Sequence, residues 1–470
     1  MTRELHPLDL AVLLAYGGVL LYLGFRLWRR GASTADDYFI AGRSLTLPAF
    51  VMTLVTTWYG GILGVGEYTY RYGIANWFVF GLPYYLGAAL FALFFAKKAR
   101  RTRFKNLPDQ LYQAYGARVS RAGALLVFVL TLPAGYVLML GITAVAIFDV
   151  DLTVGVILGT VVSVGYVYLG GMRAVIRTDR FQFILMYGGF VVLLIFLWMQ
   201  EGSPISMWSR LPDTHTDLTG GQSIWAILVW YFIALGTLID PTFYQRCYAA
   251  RDEDTARRGI WFAIGFWFFF DVMTTLVGLY AAAIYVDLAN PVTAFPQLAI
   301  DYLPIGVRGL FWVTLWAVIM STVDSYTFTA AVTAGRDLWL GPEHSRGDAA
   351  EIRMSRRALP LVAVLAIVLA LYFRSVVDIW YVIGSVITPA LLLPVVVSFS
   401  NAYKFSPAGA MLNMIAAGGV SLTWEIMRNW LGADALPWAV PAIYPGLAVS
   451  IIIWGVDRSR MQKTSPVGLS

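Results

Sequence analysis

The sequence predicts an all-α membrane protein of about 13 transmembrane helices, built on two inverted five-helix halves that each contain one broken helix. Three observations predict it. The 470 residues are 59% hydrophobic and only 13% charged, with a mean hydropathy of +0.68; soluble chains are about a quarter charged. The apolar residues fall into runs of about 20, the length that crosses a bilayer as a helix. Two of these runs, five spans apart, are interrupted by glycine or proline, and matched interruptions point to inverted repeats.

The runs are 8–27, 46–71, 74–96, 119–146, 152–170, 179–199, 222–244, 259–286, 306–338, 357–374, 377–398, 407–428 and 438–456. The first has its basic cluster after it and no small-residue cleavage site, so it reads as a retained helix rather than a signal peptide. The whole chain, 1–470, forms a single membrane domain. Residues 1–45 add a helix and an inner loop, 46–199 form the first repeat, 222–398 the second, and 399–470 the C-terminal helices and tail. Between spans, "NLPDQLYQAYG" (106–116) predicts a short amphipathic helix at the inner surface. The outer loop 201–222 is polar and turn-rich, and 286–304 is apolar enough to dip back as a short helix.

Orientation follows from the basic residues. With the N-terminus outside and every run crossing once, 28 of the 34 Lys and Arg residues lie on the inner side. The outer side keeps Arg3, Arg71, Arg210, Arg308, Arg374 and Arg428. The positive-inside rule therefore predicts an outer N-terminus and an inner C-terminus.

The interruptions are "TTWYGGILGVG" (56–66) and "ALGTLIDPTFYQR" (234–246). Glycine weakens a helix and proline removes a backbone hydrogen bond. Ordinary kinks have the same composition; inside a bilayer, freed carbonyls need protein or a wet cavity to face. A further run, "MSTVDSYTFTAAVTAGRDLW" (320–339), carries Ser321, Thr322, Asp324 and Ser325 in apolar surroundings. Hydroxyls in a membrane helix can bond the preceding turn or pack against a neighbouring helix. An aspartate there needs a partner or water.

Three motifs resemble the sodium:solute symporter family: "DDYFIAGRSLTLP" (36–48), "GGMRAVIRTDRFQFILMYGG" (170–189) and the 320–339 stretch, with a weaker match at "FYQRCYAARDEDTARRG" (243–259). The resemblance implies a leucine-transporter-like inverted-repeat fold and sodium coupling. It implies a sodium site made from the carbonyls of Thr56, Tyr59 and Val318 and the hydroxyls of Ser321 and Thr322. The break is about two residues short between Trp58 and Gly64, and valine stands at 318 where alanine is common. Sodium is a hard cation that favours oxygen ligands, as calcium and magnesium do. Some members hold a further sodium, which here would fall on Asp179, Asp324 and Ser325, with Ser321 beside them. The alternative is a structural role, with Asp324 bonded to an arginine or a backbone amide.

The solute would lie at mid-membrane between the two breaks. Trp58, Tyr84, Tyr85, Trp230, Tyr231, Thr237, Asp240 and Thr388 are the expected lining residues, against the alternative that such residues pack or form the interfacial belt. Asp240, Asp271, Asp324 and Glu425 lie within spans, whereas arginines and lysines stand at span ends. With no deep cation expected, a neutral or amine-bearing solute is favoured over a dicarboxylate, although helix N-termini also bind carboxylates. Asp271 and Glu425 receive no role.

The expected function is sodium-coupled symport of a small polar solute, a sugar, amino acid or similar, by a multi-pass protein of the plasma membrane, with Na+ as coupling ion and no other cofactor. The alternatives are proton coupling through Asp324 and a non-transporting sensor of the same fold. The net charge of +6 belongs to the inner loops and does not point to nucleic acid. The single Cys247 and the separated His6, His215 and His344 offer no metal cluster or catalytic dyad, and no phosphate-binding loop is present, which argues against an enzyme.

Overall fold

In the computed structural model, residues 5–28, 34–343, 346–373, 375–432 and 440–464 are described. Arg3, Arg29, Arg30, His344 and Arg374, all part of the sequence argument, lie outside them. The described residues are helical almost throughout, and the one strand-like pairing is an isolated bridge between Leu45 and Ala250. Eleven segments among them are long and apolar enough to cross a membrane, and Leu152–Gly165 is a shorter apolar helix. The C-terminal helix Ile443–Thr464 covers most of the thirteenth run.

Both interruptions are real. Helix Leu47–Trp58 stops at a 3-10 turn, Tyr59–Gly61, before Ile62–Tyr72 resumes. Helix Ile224–Ala234 gives way to a 3-10 turn, Leu235–Ile239, and Pro241–Ala249 follows. Pro241 sits at the first helical position, where its missing N–H costs nothing. A third irregularity separates two spans that run together as Leu152–Glu201. Gly171 has φ 58°, and a Cβ there would crowd Tyr38, so the chain turns where only glycine fits.

Packing centres on Val307–Val332, which lies along Leu152–Glu201, with Pro7–Trp28 against both. Asp9 fixes that third helix. Its Oδ1 accepts from the Gly306 and Gly309 amides at 2.7 and 2.8 Å, and its Oδ2 from Arg308 Nη2 at 2.6 Å. The carboxylate thus caps the N-terminus of Val307–Val332, where the helix dipole favours negative charge.

The predicted short helices form. Leu107–Tyr115 starts from an Asn106–Asp109 capping box. It is embedded rather than lying on the surface: Leu107, Gln110, Leu111 and Tyr115 are buried, and Asp109 pairs with Arg336 at 2.9 Å. Ala294–Tyr302 tucks Phe295 and Leu298 into the core.

Candidate functional site

The hydroxyls and acid of Val307–Val332 have partners on other helices. Ser321, Thr322, Asp324 and Ser325 are all buried. Ser321 Oγ donates to Asp179 Oδ1 at 2.6 Å. Thr322 Oγ1 donates to the carbonyl of Thr57 at 2.7 Å and stands 3.5 Å from that of Thr56. A Cβ on Gly60 would overlap Thr322, so the break brings backbone directly against this hydroxyl. Tyr59 opens the 3-10 turn beside it, and Val318 lies one turn before Thr322, fully buried. The structure therefore brings Thr56 and Thr322 together, while Ser321 turns to Asp179.

One turn on, the surroundings change. Arg246 Nη2 donates to Ser325 Oγ at 2.6 Å, Thr57 Oγ1 at 2.8 Å and Thr53 Oγ1 at 3.3 Å. It stands 3.9 Å from Asp179 Oδ2, an oxygen that also accepts from Thr53 Oγ1. Asp324 is not part of this group; its Oδ1 accepts from Ser163 Oγ at 2.6 Å. The expectation that no cation lies deep in the spans is thus corrected. Arg246 is fully buried within the apolar segment Ile224–Ala249. Counting it with the nearby inner loop missed it, because its partners come from three helices distant in sequence. Arg336 is buried too, held by Asp109, Asp337 and Glu351.

Between the two breaks lies a cavity of about 190 Å³. Of the expected lining residues, Trp58, Tyr84, Thr237, Asp240 and Thr388 border it, together with Tyr59. Three others are turned elsewhere. Tyr85 donates its hydroxyl to Asp271. Tyr231 donates to the carbonyl of Phe78 at 3.1 Å. Trp230 packs on Phe80, with ring centroids 4.7 Å apart. Asp271 thereby gains a partner, and Glu425 stands 3.7 Å from Arg428.

Asp240 is the acid of the cavity. Its Oδ1 accepts from the amide and hydroxyl of Thr242, both at 2.7 Å, which caps the helix after the break. Its Oδ2 accepts from Tyr326 at 2.7 Å. The aromatic wall around it comprises Trp58, Tyr84, Tyr136, Tyr326 and Trp380. Sequence reasoning missed Tyr136, Tyr326 and Trp380. Only Tyr326 carried a signal, since it directly follows Ser325. Beyond Trp58 the space is filled: the Phe243 ring lies 5.4 Å from Trp58 and 5.3 Å from Phe91, and Tyr244 stacks on Phe399.

Comparison with known proteins agrees with this architecture. The family model described as "Sodium:solute symporter family" matches residues 38–417. A high-affinity choline transporter of Drosophila melanogaster is 25% identical over 463 residues, covering 91% of this chain and 72% of its own. A sodium/pantothenate symporter of Haemophilus influenzae is 24% identical, covering 91% and 92%. The solved structure of a Na+-coupled sialic acid symporter, substrate-bound and outward-open, superposes with a TM-score of 0.81 at 16% identity, over 98% of this chain and 99% of that one.

Proposed function

The chain belongs to the sodium:solute symporter family, and from that premise we propose that it imports a small organic cation together with sodium across the plasma membrane. The observation that carries the charge of the solute is Asp240. It is a carboxylate bordering a cavity walled by aromatic rings, and its described bonding partners are the neutral groups of Thr242 and Tyr326. Aromatic faces attract cations, most strongly where water is excluded. A carboxylate in the same wall favours a cation over an anion, although the buried Arg246 guanidinium offsets part of its charge. The family alone does not choose a solute, since one relative is named for choline and another for pantothenate. The argument for a cation therefore rests on Asp240 and the rings, and the choline relative is consistent with it.

Sodium would bind beside the first break, on the carbonyls of Thr56, Tyr59 and Val318 and the hydroxyls of Ser321 and Thr322. Oxygen ligands suit this hard ion. The short distance from Thr322 to the Thr57 and Thr56 carbonyls supports the position, because the two sides of the cradle already meet. The N-terminus would be outside, as the basic residues predict. The cavity is then bordered by Gly61, Gly64 and Trp380 on its outer side and blocked by Phe243 and Phe91 on its inner side. Import requires those rings to part once both ligands are bound.

The test is thermal stability of the purified protein against a panel of solutes, with and without sodium. A ligand at 100 times its Kd stabilises the folded state by about 2.7 kcal/mol. Small amines and quaternary ammonium ions should raise the midpoint only when sodium is present, and Asp240→Asn should remove the effect. A shift with sugars or dicarboxylates and none with amines would overturn the proposal.

A further inference from the structure

One turn of helix joins the two proposed ligand sites. Thr322 and Tyr326 are four residues apart in Val307–Val332, so they stand one above the other on the same helix face. Thr322 Oγ1 meets the first break at the carbonyl of Thr57, 2.7 Å away. Tyr326 is half-buried and borders the cavity. Its hydroxyl donates to Asp240 Oδ2 at 2.7 Å, at the start of the helix after the second break. The sodium cradle and the acid of the cavity are thus held by one rigid element.

The bond to Tyr326 differs from the others that Asp240 makes. Asp240 Oδ1 accepts from Thr242, two residues on in the same element, so those bonds move with the acid. Among the described residues, Tyr326 is the one hydrogen-bond partner that reaches Asp240 from another helix. This bond is not what fastens the two helices together. Thr329, about one turn further, donates to Gln245 at 3.2 Å, and Ser325 accepts from Arg246 at 2.6 Å. Both partners lie in Pro241–Ala249. The Tyr326 ring is held separately, with its centroid 5.4 Å from that of Tyr136. The ring and the helix are therefore fixed by other contacts, and what the hydroxyl adds is the direction of Asp240 Oδ2.

We propose that Tyr326 is a positioning residue that couples sodium to solute. Sodium at the first break seats the turn that carries Thr322, the Tyr326 hydroxyl then aligns the Asp240 carboxylate, and the solute binds best to the aligned acid. This rests on the sodium position and on the role of Asp240 proposed above. Coupling between two binding sites is reciprocal. A bond that tightens when sodium binds therefore also raises the affinity for sodium, even with no solute present. Typical couplings are worth about fivefold or more in affinity.

The test is a mutant cycle of sodium affinities, read by thermal shift on the full-length protein with sodium alone as the probe. Tyr326→Phe removes only the hydroxyl and changes no formal charge. Asp240→Ser keeps an N-cap oxygen for the helix and is too short to meet Tyr326. Each should weaken sodium binding by about fivefold or more, and the double variant should be no weaker than Asp240→Ser alone. An unmoved sodium curve in Tyr326→Phe overturns the proposal, because a merely structural hydroxyl changes the midpoint and not the sodium affinity. Where that variant folds poorly, an unmoved curve in Asp240→Ser overturns it equally. Losses that multiply in the double variant also overturn it, since the hydroxyl and the acid then act separately. Thr322→Ala tests the sodium position: if it leaves sodium affinity unchanged, that position fails and the coupling with it. Choline, titrated with and without sodium, tests the solute side. Sodium should tighten choline binding by about fivefold or more in the unaltered protein and hardly at all in Tyr326→Phe. If Tyr326→Phe weakens choline by the same factor with and without sodium, Tyr326 is only a wall of the solute site and the proposal is overturned. If choline does not bind while the sodium cycle behaves as expected, the cation reading fails and the link from Tyr326 to sodium stands.

Discussion

Thr322 and Ser325 stand about one turn apart on the same helix, and each reaches the same residue of the first broken helix. Thr322 bonds the carbonyl of Thr57, and Ser325 meets its hydroxyl at 2.9 Å. Around Thr322 the contacting oxygens, from Thr56, Thr57 and Thr322 itself, are formally neutral. Around Ser325 a guanidinium has entered, drawn by Thr53, Thr57 and the Asp179 carboxylate. In the proposed function this difference is that between an exchangeable cation and a tethered one. An ion held by neutral oxygens can leave, so its gradient drives the cycle: about 2.3 kcal/mol per charge at 100 mV and about 1.4 kcal/mol per tenfold gradient. Arg246 neutralises Asp179 without ever crossing the membrane. If Arg246 takes the second position as proposed, one sodium would accompany each solute, and a monovalent cationic solute would move two charges per cycle.

The largest expected effect breaks the neutral cradle. Ser321→Ala with Thr322→Ala should abolish sodium-dependent uptake, with at least a hundredfold rise in the sodium concentration for half-maximal rate, while the protein still reaches the membrane. Uptake against sodium concentration measures it. An unchanged curve would remove sodium from this position.

Next comes the tethered cation. Removing one partner of a buried charge pair costs about 3–5 kcal/mol, because the other is left uncompensated. Arg246→Gln should therefore destabilise strongly, and adding Asp179→Asn should recover much of the loss. In any Arg246→Gln protein that folds, the vacated oxygens of Asp179, Ser325 and Thr57 should admit a second sodium. Uptake should then become sigmoidal in sodium where the unaltered protein is hyperbolic. A sigmoidal curve in the unaltered protein would end the comparison, since a second exchangeable ion would already be present.

The two clusters were not equally legible in the sequence. Gly60, Gly61 and Pro241 announce the breaks because their effects are local: a missing Cβ or a missing N–H acts on its own turn. The hydroxyls of Ser321 and Thr322 were visible as polar residues in an apolar run. Arg246 was not, because it lies only a few residues from the basic segment after Ala250 and its burial depends on Thr53, Asp179 and Ser325, far away in the chain. The cavity was half legible for the same reason. Asp240 stood out as an acid beside a proline. Tyr136 and Trp380 belong to 26 tyrosines and 17 tryptophans, and nothing local marks the ones that face a cavity. Tyr85 and Trp230 show the converse, with side chains turned to Asp271 and Phe80.

A smaller effect probes how closely the break approaches the cradle. Gly60→Ala would put a methyl into Thr322, and overpacking of this kind costs about 1–3 kcal/mol. The strain falls on the hydroxyl proposed to hold sodium, so sodium affinity should fall more than solute affinity measured at saturating sodium. Gly236→Ala is the control at the second break. There a Cβ would come no nearer than 3.4 Å to Thr388 Oγ1, so sodium affinity should hold while solute affinity changes. Equal losses of sodium affinity in both variants would mean that the two breaks do not divide the ligands between them.

The smallest effect is the sharpest comparison, because it uses a serine against its near neighbour. Ser325→Ala removes one acceptor from Arg246, which keeps Thr57 Oγ1 at 2.8 Å and the Asp179 carboxylate. A single hydrogen bond contributes about 0.5–1.5 kcal/mol, somewhat more when one partner is charged. The expected cost is therefore about 1–2 kcal/mol of stability, read as a lower thermal midpoint with the sodium curve unmoved. Ser321→Ala alone should do the reverse. It removes a proposed sodium ligand and a bond to Asp179, so the sodium curve should shift to higher concentration even where stability falls by a similar amount. The two alanines differ by one turn of helix and by which cation they face. If both shift the sodium curve alike, Ser325 shares the exchangeable ion and Arg246 does not fill the second position. If neither shifts it, the oxygens that bind sodium lie elsewhere along the first break, and the carbonyls of Thr56 and Tyr59 hold it without Ser321.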